Sequence, residues 1–244
     1  MPRPSIPLDQ LTAYLFGAGA GGSALAAEVG QWLLASPRFR TFAETYRDKI
    51  RKKARGLRDD EARRDVAFEL AVAVHLLEER RFAIEYESYG VSERAPDFRV
   101  TFRNGLRFNV EVRRMRGSSP TQGATAERSR LIRAVCDKLG QMPPSMINVL
   151  ALGPSSAADA LGPAMLWLQD RAAQRDEGFF QERGFTGSRE FLRHYQRLSG
   201  ALWLVSEPGA PPTLWRNPQA RHRLPADLAR ALSQQTHEAR VPNR

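Results

Sequence analysis

The chain has 244 residues, 42% of them hydrophobic, enough for one α/β domain with additions. Its 37 Lys and Arg against 27 Asp and Glu give a formal net charge of +10, which favours a polyanionic partner, nucleic acid being the commonest. The single cysteine, Cys136, excludes an intrachain disulfide and a thiolate zinc cluster, and the four histidines are scattered. Residues 1–10 lack the basic start and apolar core of an export signal, and apolar stretches such as 70–77 are too short to span a bilayer. A cytoplasmic protein without membrane association is expected.

In chain order, Leu8–Phe16 is a helical candidate. The glycine-rich tract 17–22 follows no strand and precedes no Gly-Lys-Ser or Gly-Lys-Thr, so it reads as a link rather than a phosphate loop. Ser23 is placed to cap a helix running to about residue 34. Ser36 and Pro37 start another, with Phe39, Phe42, Tyr46 and Ile50 as its apolar stripe. Its far end carries Lys49, Arg51, Lys52, Lys53, Arg55 and Arg58, either a solvated end matched to the helix dipole or a phosphate-contacting patch. Asp59 and Asp60 open a helix to about residue 79, with Val66, Leu70, Val74 and Leu77 at helical spacing and Glu69 beside them.

Strands are expected at residues 82–89, 97–102 and 106–113, the last two joined by a two-residue turn at Asn104 and Gly105. After a loop at 117–120, residues 124–139 form a helix with Leu131, Ile132, Val135 and Leu139 inward. The continuous apolar run 146–152 reads as a buried strand lying parallel beside the hairpin. Helices at about 160–175 and 188–198, a strand at 201–206, a break at Pro211 and Pro212, and a helix at 225–234 complete the chain. This order gives an α/β fold with a mixed central sheet flanked by helices. Residues 1–58 are expected as an N-terminal helical extension and 59–244 as the α/β domain with C-terminal additions.

A two-residue turn pairs Arg103 with Leu106 and sets Phe98 opposite Glu111, with Asp97 one residue further along. The spacing of fourteen residues thus brings Asp97 and Glu111 together. Asn109, Glu111 and Arg113 share one strand face, expected to meet solvent, a partner or an active site; Phe108, Val110 and Val112 share the other. Two adjacent carboxylates repel unless protonated or bridged by a cation, and Mg2+ or Mn2+ suits such an oxygen-donor pair. A bound ion would activate water and polarise a phosphodiester, and Arg113 would stabilise the phosphoryl charge. Arg113 stays protonated and is a poor general base. The structural alternative has Asp97 capping a strand start and Glu111 pairing with Arg99 or Arg113 on a wet sheet face.

Residues 69–152 resemble the PD-(D/E)XK nuclease superfamily, whose pattern is a helical glutamate, a Pro-Asp at a strand and a Glu-x-Lys on the next strand. Here these look like Glu69, Pro96-Asp97 and Glu111-Val112-Arg113, with arginine in place of lysine. The resemblance implies a restriction-endonuclease-like core and a Mg2+-dependent endonuclease hydrolysing DNA, with Glu69, Asp97 and Glu111 at the metal and Arg113 beside them. Lys138, or Gln141, is a candidate helper from the next helix. Arg113, Arg114, Arg116, Arg128, Arg130 and Arg133 would form a cationic wall for the phosphate backbone. Partners implied are DNA and a second copy or another protein. The alternative is a degenerate nuclease-fold domain that only binds nucleic acid or a protein partner. His75 is read as a core-edge residue, Cys136 as buried filler, and Trp167, Trp203 and Trp215 as core anchors. No helix-turn-helix or zinc finger is apparent.

Overall fold

A computed structural model describes residues 6–17, 23–87, 96–103, 105–116, 124–153, 160–204 and 211–234. It divides into two units, Met1–Leu77 and Glu78–Arg244. The division falls one residue before the end of the helix that begins at Asp60. The glycine-rich tract beyond Gly17, the loop at 117–120 and Asn104 lie outside the described residues.

The first unit is helical: α1 (Leu8–Phe16), α2 (Ala24–Ala35), α3 (Pro37–Thr45), α4 (Arg47–Arg55) and α5 (Asp60–Glu78), the last running just past the division. Ser36 begins α3 as expected, its side chain accepting the Phe39 N–H at 3.1 Å ahead of Pro37. Asp59 does the same for α5, accepting the Ala62 N–H at 2.7 Å. Ser23 stands at the N-cap of α2 without a side-chain cap bond. The helix expected to run through Ile50 instead breaks at Tyr46 (φ −105°, ψ 18°), which puts Phe39 and Phe42 on α3 and Ile50 on α4. All three are buried, and rings continue from Trp32 through Phe39 and Phe42 to Tyr46.

The second unit is built on one six-stranded sheet in the order β1-β2-β3-β4-β5-β6. The strands are β1 (Phe82–Tyr86), β2 (Phe98–Phe102), β3 (Leu106–Arg114), β4 (Ile147–Gly153), β5 (Gly200–Trp203) and β6 (Thr213–Arg216). β1 to β3 form an antiparallel meander, β3, β4 and β5 run parallel, and β6 returns antiparallel, so the sheet is mixed. Helix α6 (Ala124–Leu139) crosses from β3 to β4; α7 (Leu161–Ala173), α8 (Glu177–Gln181) and α9 (Ser188–Tyr195) lie between β4 and β5; α10 (Ala226–Ser233) follows β6. All seven residues of β4 are buried, as expected for a parallel strand paired on both sides. The short helix α8 and the partly exposed edge strand β6 were not among the expected elements.

The hairpin register differs from expectation by one residue. Phe102 pairs with Leu106 and Phe98 with Val110, so three residues, not two, connect β2 to β3. Arg103 and Gly105 both have positive φ (46° and 101°), as a three-residue connection with left-handed positions requires. This register puts Phe98, Val100, Phe102, Phe108 and Val110 on one face with Phe82 and Tyr86, and the rings of Phe82, Phe102 and Phe108 meet edge to face. The opposite face of β4 and β5, carrying Leu150, Leu152, Ala201 and Trp203, packs with α6, α7 and α9. There Leu131, Val135, Met165, Phe191 and Tyr195 join the core, together with Trp203. Among the described residues no helix is long and apolar enough to cross a membrane.

Gly200 sits where β5 passes β6. A Cβ there would come within 2.8 Å of the Trp215 carbonyl oxygen and 2.6 Å of a Leu224 methyl. Gly200→Ala is expected to cost about 1–3 kcal/mol through overpacking, read as a lower urea midpoint at unchanged slope.

Candidate active site

Three elements of the sheet unit converge on one point. Just past the end of β1, the Glu87 N–H donates to the Asp97 carbonyl at 3.1 Å, and Asp97 directly precedes β2. One step beyond the last ladder pair, Phe98–Val110, brings Asp97 level with Glu111 on β3. The Asp97 Oδ2 accepts the Val112 backbone N–H at 2.7 Å, which fixes the carboxylate against the neighbouring strand. The expected neighbourhood of Asp97 and Glu111 is therefore observed, in the shifted register.

Glu111 is only 4% exposed. Period-two alternation puts it on the face of Asn109, in register with Leu150. That face was expected to meet solvent, a partner or an active site; Asn109, too, is fully buried and donates to the Asn148 Oδ1 at 3.3 Å. The cover comes from α6, whose Leu131, Ile132, Val135 and Leu139 are buried as read. Lys138 lies seven residues after Leu131 and three after Val135, hence on the same inward side of the helix. Its Nζ donates to the Glu111 Oε2 at 2.9 Å and lies 3.8 Å from the Asp97 Oδ2. Side-chain exposure rises from 5% at Glu111 through 16% at Lys138 to 23% at Asp97, so the cluster opens to solvent on the Asp97 side.

Arg113 takes a different direction. Its guanidinium pairs at 3.3 Å with Asp137, the residue before Lys138, and both side chains are more than 40% exposed. Glu69 belongs to the helical unit, where its Oε1 accepts from the Lys53 Nζ at 2.6 Å. Of the expected cationic wall, Arg128 lies 5.7 Å from the Trp167 ring centre, with Arg171 also over that ring at 4.7 Å. Cys136 is buried in the core, and desolvation pushes its thiol up to about 12. A surface cavity of about 670 Å³ near α8 and α9, with Arg175, Arg189 and Arg193 in its wall, includes none of the clustered residues.

Among the described residues no three His, Cys, Asp or Glu side chains gather as a ready metal cage. Asp97 and Glu111 nonetheless fit a hard divalent ion: they are adjacent oxygen donors, and among the described residues the Asp97 Oδ1 accepts no hydrogen bond. Mg2+ typically takes one or two carboxylates and keeps several waters. No family model, no curated protein and no solved structure matches this chain.

Lys138→Met is expected to leave a buried, uncompensated Glu111 and to cost about 3 kcal/mol in urea unfolding, whereas Glu111→Leu/Lys138→Met recovers most of that loss. At pH 8 the Cys136 thiol is expected to resist Ellman's reagent in the folded protein and to react fully once urea unfolds it.

Proposed function

We propose that the sheet unit is a Mg2+- or Mn2+-dependent endonuclease that hydrolyses DNA phosphodiester bonds in the cytoplasm, with Asp97 and Glu111 holding the ion and Lys138 as the catalytic cation. The observation that carries this reading is the meeting of two carboxylates and one ammonium from a strand start, the adjacent strand and the following helix. The helix-to-strand order around them is the one the nuclease resemblance implies, and Lys138 supplies the amine that the strand position of Arg113 lacks.

When bound, the ion polarises the phosphate and activates water. Asp97 is oriented for its part by the Val112 N–H. Lys138 donates to Glu111 and has further N–H donors to turn toward a phosphoryl oxygen or the attacking water. Arg113, at the exposed end of the same strand face, positions a backbone phosphate, a task that a permanently protonated planar fork suits.

The second reading, a nuclease-fold domain that only binds, is favoured by the same ion pair, because Lys138 already satisfies Glu111. Supercoiled plasmid with Mg2+ or Mn2+ separates the two. Nicking is expected from the wild type, none from folded Asp97→Ala or Glu111→Ala, at least about a hundredfold less from Lys138→Ala, and less than about tenfold loss from Arg113→Ala. Wild-type protein that binds the plasmid without nicking it in either metal would transfer the assignment to the binding domain.

A further inference from the structure

We propose that helix α4, together with Tyr14 of α1, forms a phosphate-binding face for duplex DNA in the helical unit. Residues 47–58 hold seven cations and one acid, whereas the rest of residues 1–77 holds five cations and eight acids. The positive charge of this unit is therefore concentrated in one segment and is not a background of basic composition.

Helix-end electrostatics do not account for it. Lys52, Lys53 and Arg55 occupy the last turn of α4, where cations complement the dipole, but Arg47 opens the first turn, where a cation opposes it. Arg47, Arg51 and Arg55 follow at four-residue spacing and so share one side of the helix, with Lys52 flanking them, while Ile50 is the buried anchor. Like charges at this spacing repel, a cost that an anion spread along the helix would reverse.

The side chains are also arranged for a ligand. The guanidinium of Arg51 lies 4.3 Å and that of Arg47 5.5 Å from the Tyr14 ring centre. Stacking orders two long side chains while leaving their hydrogens for phosphate oxygens. The only acid within α4, Asp48, is occupied by the Tyr14 hydroxyl. Among the described residues Arg47, Arg51, Lys52 and Arg55 make no ion pair, whereas Lys53 is neutralised by Glu69 and Arg63 and Arg64 by Asp60 and Glu61. Such a face tracks a polyanionic backbone without reading bases. DNA held there need not be cut, so the binding stands independently of the chemistry at Asp97 and Glu111.

The test uses the full chain in EDTA, which removes cleavage, and a fluorescein-labelled duplex of about 20 base pairs titrated by anisotropy from about 50 to 200 mM KCl. Lys52→Gln/Arg55→Gln is expected to reduce the slope of log affinity against log salt by about two, and adding Arg47→Gln and Arg51→Gln by about two more. The control Arg63→Gln/Arg64→Gln removes the same charge as the first variant and is expected to leave the slope within about half a unit, with circular dichroism verifying the fold of each. An unchanged slope in folded Lys52→Gln/Arg55→Gln overturns the proposal, as does an equal drop in the control. Binding to phosphatidylserine vesicles but not to the duplex would overturn it in favour of a membrane surface. Loss of plasmid nicking in the wild type, with this salt dependence intact, would remove the nuclease reading alone.

Discussion

A carboxylate on the covered face of a central strand must be compensated, and the architecture of the sheet unit around β3 follows from how Glu111 meets that demand. Its backbone is level with Leu150, a position where an apolar side chain would pack under α6. Lys138 supplies the counter-charge from the last turn of that helix. The pair therefore ties the crossover helix to the strand whose end it must leave and whose neighbour it must reach. Buried ion pairs are weak devices for stability, since apolar replacements of similar volume are often neutral or better. A pair in this place, with Asp97 at its open edge, suits the proposed chemistry better than it suits packing alone.

Asp137 and Arg113 add a second contact of opposite sense. Along α6 the charges run negative then positive; along β3 they run negative at Glu111 and positive at Arg113. Sliding the helix by one residue would set like charges against each other, so the two pairs together favour one alignment. They do not contribute equally. The Arg113–Asp137 pair is exposed and worth less than about 1 kcal/mol, whereas Lys138 and Glu111 sit where solvent screens little. Arginine suits the outer position because its length and fixed charge serve at the rim; an amine whose donors can rotate suits the inner one.

Much of this is legible in the sequence. The apolar run of β4, the amphipathic α6 and the neighbourhood of Asp97 and Glu111 follow from periodicity and turn chemistry. The one-residue difference in register arises because Asn-Gly serves both two- and three-residue hairpins, and nothing in the sequence marks Arg103 as a left-handed residue. The aromatic alternation is the better guide: of the two hairpin registers, Phe98 opposite Val110 keeps Phe98, Val100, Phe102 and Phe108 on one face and Phe98 opposite Glu111 does not. Lys138 was readable too, at the heptad position of Leu131 on a helix whose inward side is otherwise apolar. The break at Tyr46 and the edge strand β6 carry no such signal, the first lacking Pro or Gly and the second being four residues long.

The charge distribution separates two tasks that composition merges. A formal +10 suggests affinity for a polyanion but cannot say where it is held. In the helical unit Lys53 is paired with Glu69, whereas among the described residues Arg47, Arg51, Lys52 and Arg55 of α4 make no ion pair, with Tyr14 taking up both Asp48 and the faces of two guanidiniums. In the sheet unit the decisive cation does the opposite, being bound directly to carboxylates. Long-range attraction needs charge that is exposed and unpaired; chemistry at a phosphorus centre needs charge that is fixed and partly desolvated. On the proposed function, the exposed cations of α4 would serve capture and the shielded Lys138 would serve reaction.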